Sequence, residues 1–234
     1  MKIVLHIACV LVLFCAAISA QDANRAVTAD VRLVAAGHHP PPKSMTGSIV
    51  WLVSLDHSFT PATADDKHFR MAQKDKRFVP SLLVLPVGSM VDFPNLDPWF
   101  HNVFSLYRGK RFDLGLYQAG AQKSVRFDKP GVSYLFCNIH PAMSAAIIAV
   151  ESRRYGVSDA RGHVVISGVP EGKYELHVWH ENATPEALKA AERFVEIGDK
   201  RTLPAITLAV QPASSSHKNK YGKDYDPDAL KPDY

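Results

Sequence analysis

A chain of 234 residues, 47% of them hydrophobic, is long enough to bury one large core or two small ones. Its formal charge of +4 is mild, and no basic stripe interleaved with aromatics runs through it, which argues against a nucleic-acid partner. Residues 1–20 read as a signal peptide. Lys2 gives a positive start, Ile3 to Ile18 is apolar apart from His6, and Ala17-Ile18-Ser19-Ala20 offers small residues for cleavage. The run is too short for a comfortable membrane span, and bulky Phe14 disfavours a lipid anchor on Cys15. Cleavage would remove Cys9, Cys15 and one charge, leaving +3. The expectation is a soluble protein in the periplasm or outside the cell, with no membrane span.

Past the leader the pattern is β throughout. Short runs of Val, Ile, Leu and Phe are punctuated by Gly, Pro and Asp, as in a sandwich or barrel. Ala29–Val34 opens the series, and Gly37–Lys43, with Pro40-Pro41-Pro42, is an extended loop. After Ser48–Leu55 comes Lys67-His68-Phe69-Arg70 with Lys74, Lys76 and Arg77, offset by Asp65, Asp66 and Asp75; it reads as a solvated loop. Strands are then expected at Ser81–Leu85, Ser89–Phe93, Asn102–Ser105, Lys123–Phe127, Gly131–Cys137 and Ala145–Glu151. Four more follow at His163–Ser167, Tyr174–His180, Arg193–Glu196 and Ala205–Val210. One helix is expected, with Thr184 as cap, Pro185 at the first position and Glu186–Glu192 as its body. Gln211–Tyr234 is polar and nearly free of aliphatics, the composition of a disordered tail. No internal repeat is visible.

One cysteine survives cleavage, so it cannot form an internal disulfide. It stands in Cys137-Asn138-Ile139-His140-Pro141-Ala142-Met143, where thiol, imidazole and thioether are spaced three residues apart. These are the soft and borderline donors that copper favours. In Gly131–Cys137, Val132, Tyr134 and Phe136 alternate against Ser133, Leu135 and Cys137, placing the sulfur on a defined face at a strand end. Pro141 stiffens the turn that brings back His140 and Met143. Upstream, a strand ends at Phe93 and a new one starts at His101, which can stand beside that turn. Two imidazoles and a thiolate with a weak axial thioether make the blue-copper constellation. Zinc is the competing metal, but methionine is a poor fourth ligand for a structural zinc site. Taken singly, each residue also has a plainer reading: a small buried cysteine, a loop histidine, a core methionine. His38, His39, His57, His68, His163, His177, His180 and His217 are assigned to structure or solvent.

His-Asn-Val-Phe-Ser at 101–105 and Cys-x-x-His-Pro-x-Met at 137–143 together resemble the cupredoxin family, plastocyanin and amicyanin among them. The short gap between His140 and Met143 is closer to amicyanin. The resemblance spans roughly residues 68–151 and takes in Phe78-Val79-Pro80 and Val87-Gly88-Ser89-Met90-Val91. It implies a Greek-key β-sandwich with one mononuclear type 1 copper held by His101, Cys137, His140 and Met143. It also implies that Asn102 ties the two ligand loops together by hydrogen bonding.

Gly156–Val178 is similar to a second family, the carboxypeptidase regulatory-like or transthyretin-like β-sandwich. The carriers of that likeness are the Asp159–Gly162 turn, the His163–Ser167 strand, Pro170-Glu171-Gly172 and Tyr174-Glu175-Leu176-His177-Val178. Such domains begin with a further strand pair, for which only Ala29–Val34 and Ser48–Leu55 qualify. The fold class is therefore all-β, with a copper domain at 66–151 inserted into a sandwich of 25–60 plus 152–211, and a tail at 212–234. The alternative is one enlarged cupredoxin with a C-terminal extension.

Four protein ligands leave no open position for a substrate on the metal. The chain also has no His-x-His pattern of the kind a multicopper enzyme needs. The expected function is a non-enzymatic, exported one-electron carrier that meets redox partners at the His140 edge. Pro141, Ala142, Ala145 and Ala146, with Trp99 and Phe100, are the candidate contact patch. The alternative is copper storage or delivery, or a non-redox binding module.

Overall fold

The computed structural model describes residues 26–37, 44–58, 60–61, 68–106, 109–212, 220–221 and 223. The signal peptide, most of Gly37–Lys43, His38, His39, His217 and most of the tail lie outside the described residues. The fold is all-β apart from one short helix. β1 (Val27–Ala35) and β2 (Ile49–Ser54) come first. Ten strands follow: β3 (Phe69–Arg70), β4 (Ala72–Lys74), β5 (Arg77–Val79), β6 (Leu82–Pro86), β7 (Met90–Pro94), β8 (His101–Ser105), β9 (Phe112–Tyr117), β10 (Gln122–Arg126), β11 (Gly131–Phe136) and β12 (Ser144–Val150). The last group is β13 (Tyr155–Val157), β14 (His163–Ile166), β15 (Gly172–Trp179), α1 (Pro185–Ala191), β16 (Arg193–Ile197) and β17 (Ile206–Val210).

The sheets sort into two groups by core. Sheet β14-β1-β17 packs on sheet β13-β2-β15-β16, and both ends of the described chain contribute to this outer pair. Its core joins Val27, Val31 and Leu33 to Leu52, Ile166, Leu176 and Leu208. β1 alternates buried and outward residues along its length, the period of a strand with one covered face. Tyr174 is wholly buried there, and its hydroxyl donates to Pro170 O at 3.0 Å, bracing the Pro-x-Gly turn. Gly162 answers a specific need in this core: at φ +90° a side chain is strained, and a Cβ would run into the carbonyl oxygen of Val31.

The intervening segment builds an inner pair, β10-β7-β3 against β6-β12-β11-β8-β9, around Met71, Phe93, Val103, Phe127, Leu135 and Ile147. A seam of Ile49, Val84, Ala146, Ile148, Val150 and Trp179 joins the inner pair to the outer one. β12 lies between β6 and β11, with Ala145, Ile147 and Ala149 facing the inner core and Ala146, Ile148 and Val150 facing the seam. Both faces are covered, which explains its unbroken apolar sequence.

The helix forms as its sequence dictates. Thr184 caps it by accepting from the Ala187 N–H at 3.1 Å, and Pro185 occupies the first turn. Asp65, Asp66 and Lys67 lie outside the described residues, and from Phe69 on the segment read as a solvated loop is instead β3 and the β4–β5 hairpin. Met71, Gln73 and Phe78 point inward while Lys74 and Arg77 point out, and Asp75 and Lys76 turn the hairpin at φ 54° and 55°. The charges occupy one face only. β9 and β13 are likewise strands that the sequence pattern did not mark.

Candidate metal centre

β11 delivers Cys137 to the inner core. Ser133, Leu135 and Cys137 are fully buried in alternation with half-buried Val132, Tyr134 and Phe136. The chain then turns back on itself: the Met143 N–H donates to His140 O at 3.0 Å and the Cys137 N–H to Met143 O at 3.2 Å. This closes a small loop with exposed Pro141 and Ala142 at its tip. The neighbouring strand β8 delivers His101, since Phe104 in β8 pairs with Phe136 at the end of β11.

Three donors converge. His101 Nδ1 is 3.1 Å from His140 Nδ1 and 3.9 Å from Cys137 Sγ, and His140 Nδ1 is 3.5 Å from the same sulfur. Among the described residues, no other group of His, Cys, Asp and Glu donors draws together in this way. A tetrahedral or trigonal ion with bonds of about 2.0 Å to nitrogen and 2.3 Å to sulfur holds its donors roughly 3 to 4 Å apart. The three separations match that requirement. Met143 is wholly buried and shares the inner core with Cys137 and Ile139.

The sequence reading missed one residue here. Asp97, nearly buried, accepts from His101 Nε2 at 2.8 Å and from the backbone N–H groups of Asp75 (2.6 Å) and Lys76 (2.9 Å). A carboxylate only accepts, so Nε2 of His101 is the donor and Nδ1 is the ring nitrogen turned to the centre. Burial alone would push the Asp97 carboxyl up. The Lys76 N–H, the His101 ring and the Asp75 N–H outweigh it and hold the carboxyl below its ordinary range. Asn95 fixes the same loop, accepting from the Asp97 N–H at 3.0 Å and donating to Trp99 O at 2.7 Å.

Asn102 ties the loops differently from the expectation. Its side-chain Nδ2 donates to Asp113 Oδ1 at 2.7 Å, while Oδ1 is buried with no partner among the described residues. Its backbone N–H, with those of Ile139 and His140, is directed at the Cys137 sulfur. The reason is strand pairing: Asn102 is held against Leu116 of β9, next to the bulge that presents Asp113. Burial pushes the Cys137 thiol up, and the three N–H groups oppose that, so an incoming metal ion must displace a thiol proton.

His140 is pushed down to about 4, first by burial and then by the neighbouring His101 and Lys76, against the opposite pull of Asp97. It therefore stays neutral and available to a metal through the physiological range. In the unfolded chain its ordinary value is 6.5, so between pH 6.5 and 4 the unfolded state binds more protons than the folded one. The metal-free protein is expected to lose stability as pH falls through that window. Chemical denaturation midpoints measured from pH 7 to 4 check this. The midpoints of His140→Ala should fall less steeply, and equal slopes would contradict it.

The contact patch needs one correction. Trp99, Phe100, Pro141 and Ala142 are exposed, but Ala145 and Ala146 are buried inside β12. The other described histidines stand apart: His177 stacks on Trp51 between Glu175 and Glu192, His68 pairs with Asp92, and His163 pairs with Asp30.

No family profile and no curated protein matches this chain. Among solved structures it is similar to a Cu-containing nitrite reductase from Thermus scotoductus. That likeness has 24% identity and a TM-score of 0.35, over 40% of this chain and 26% of the other, so this chain spans only about a quarter of that enzyme. A purple cupredoxin from Nitrosopumilus maritimus matches at 22% identity and TM-score 0.32, over 35% of this chain and 99% of its own length. A methionine-to-alanine mutant of amicyanin in its Cu(I) form matches at 17% and 0.34, over 43% and 98%. Likenesses this distant carry no weight in the assignment below, which rests on the donor geometry.

Proposed function

We propose that this protein is an exported type 1 copper protein that passes single electrons between redox partners and is not itself an enzyme. One observation carries the reading: two imidazole nitrogens and a buried cysteine sulfur lie 3.1 to 3.9 Å apart around a common point. Two imidazoles and one thiolate, with the thioether of Met143 from the same loop as a fourth donor, make the set of a blue-copper site. Copper bound there would supply one-electron exchange between Cu(II) and Cu(I). Everything else is done by the chain. Asp97 orients His101, the three backbone N–H groups stabilise the sulfur as thiolate, and the buried walls exclude water. Half-buried His140, followed directly by exposed Pro141 and Ala142, is the route to a partner's surface. The inner sheet pair is the cupredoxin module of this reading. In the same reading the outer pair is a carboxypeptidase regulatory-like sandwich split by it, and residues 1–20 direct export to the periplasm or outside the cell. Adding Cu(II) to the purified protein and recording its visible and EPR spectra tests the assignment. An intense blue or green band with narrow copper hyperfine splitting is expected.

Two further results follow. A fragment of residues 66–152 should melt cooperatively and bind copper alone, because the inner core has its own apolar residues. A fragment of 152–211 should not fold, since β1 and β2 are missing from its sheets. Circular dichroism of both checks this, and a cooperatively melting 152–211 fragment would contradict the split.

Storage or delivery is the second reading, and Met143 separates the two. In a carrier the thioether tunes. Met143→Leu should keep copper and colour but raise the reduction potential, because a weak donor to Cu(II) is lost. In a delivery protein the same change would sharply weaken Cu(I) retention, and the wild type would give no reversible voltammetric wave.

A further inference from the structure

The residues that follow the two ligand-bearing strands, Asn102 after His101 and Asn138 after Cys137, do not bond to each other directly. A third element joins them. Lys220, far along the C-terminal segment, donates its backbone N–H to Asn138 Oδ1 at 3.1 Å and its Nζ to Asp113 Oδ2 at 2.8 Å. The other oxygen of Asp113 accepts from Asn102 Nδ2 at 2.7 Å and from the Gly115 N–H at 2.9 Å. A closed path therefore runs from the His101 strand through Asn102, Asp113, Lys220 and Asn138 to the Cys137–Met143 loop. Lys220 contributes both a side-chain and a main-chain bond, so its placement is a two-point anchorage rather than a stray surface ion pair. The side chain is only 25% exposed despite its charge.

We propose that Lys220 is a positioning residue, a strap that holds the Cys137–Met143 loop against the β8–β9 pair. Within the loop the Cys137 N–H to Met143 O and the Met143 N–H to His140 O close the turn, and the Ile139 and His140 N–H groups are directed at the Cys137 sulfur. With its tip exposed, the loop gains rigidity from an outside anchor at Asn138. The consequence for a metal centre rests on the copper reading above; the strap itself does not.

The test uses the full-length, metal-free protein and amide hydrogen exchange at Cys137 and Met143. Lys220→Met removes the bond to Asp113, and Lys220→Pro removes the N–H donated to Asn138. Each should speed exchange at these two amides by about three- to tenfold, the scale of one hydrogen bond, while Leu176 in the outer core is unaffected. In an Asp113→Asn background, Lys220→Met should add little, because the two changes break the same bond. Unchanged exchange in both Lys220 variants, or full additivity in the double variant, overturns the strap. A second readout follows the loaded protein: both Lys220 variants should release Cu(I) to a competing chelator several-fold faster. If the wild type binds no copper, the metal reading fails while hydrogen exchange still decides on the strap.

Discussion

Cys137→Ser should abolish the colour of the copper-loaded protein, the largest spectroscopic effect any single substitution here can have. The intense band of a blue-copper site belongs to the sulfur, and a serine hydroxyl is a hard, weakly acidic donor that does not replace a thiolate. The setting makes the loss complete. Cys137 is fully buried, three backbone N–H groups are directed at its sulfur, and the two imidazoles stand within 3.9 Å of it. Among the described residues no second thiol is at hand. His177→Ala is the control. That ring stacks on Trp51 in the outer pair, so its removal should leave the spectrum unchanged. A colourless Cu(II) complex of the wild type would end the blue-copper assignment.

Asp97→Ala should weaken copper binding about 10- to 100-fold, the usual cost of removing the partner that orients a ligating histidine. The substitution releases His101 Nε2 and also leaves the Asp75 and Lys76 N–H groups without their acceptor, so the hairpin tip loosens too. Asp97→Asn separates the effects. An asparagine oxygen still accepts, but the negative charge beside the ligand is gone, so the oxidised ion loses more stabilisation than the reduced one. The reduction potential should rise in Asp97→Asn with a smaller loss of affinity. Competition titration and voltammetry on the two variants check this. Wild-type affinity in Asp97→Ala would show that His101 needs no such partner.

The two halves of the centre were unequally legible. Cys137, His140 and Met143 lie within seven residues, and the alternation in β11 fixes the face of the sulfur, so chemistry and period pointed the same way. His101 was readable because a strand had to restart there. Asp97 was not. Its partners are a ring four residues away and a hairpin turn more than twenty residues earlier, and that turn was hidden in strands of two or three residues. Short strands show too little alternation for a period to emerge from scattered lysines and aspartates. β9 was missed for a related reason: Asp113 and Gly115 interrupt its apolar run, yet Asp113 is the acceptor that Asn102 uses. Asn102 was expected to join the two ligand loops through its side chain; strand pairing instead sends that side chain to β9 and leaves the thiol to its backbone. Ala145 and Ala146 read as surface because alanine carries little signal of its own; only the neighbours β6 and β11 show them to be interior.

The place of β1 has a consequence for how the chain is made. β1 is flanked by β14 through Val27–Ile166 and by β17 through Val31–Ile206, the latter in parallel. During synthesis the inner core has all its strands by Val150, whereas β1 and β2 must wait for segments made much later. Closing so long a loop is slow, and an unpaired apolar strand is vulnerable while it waits. The order of assembly should then run against the order of synthesis: the middle folds first and the outer sheets close around it. β1, made before every inner strand, is among the last to be paired.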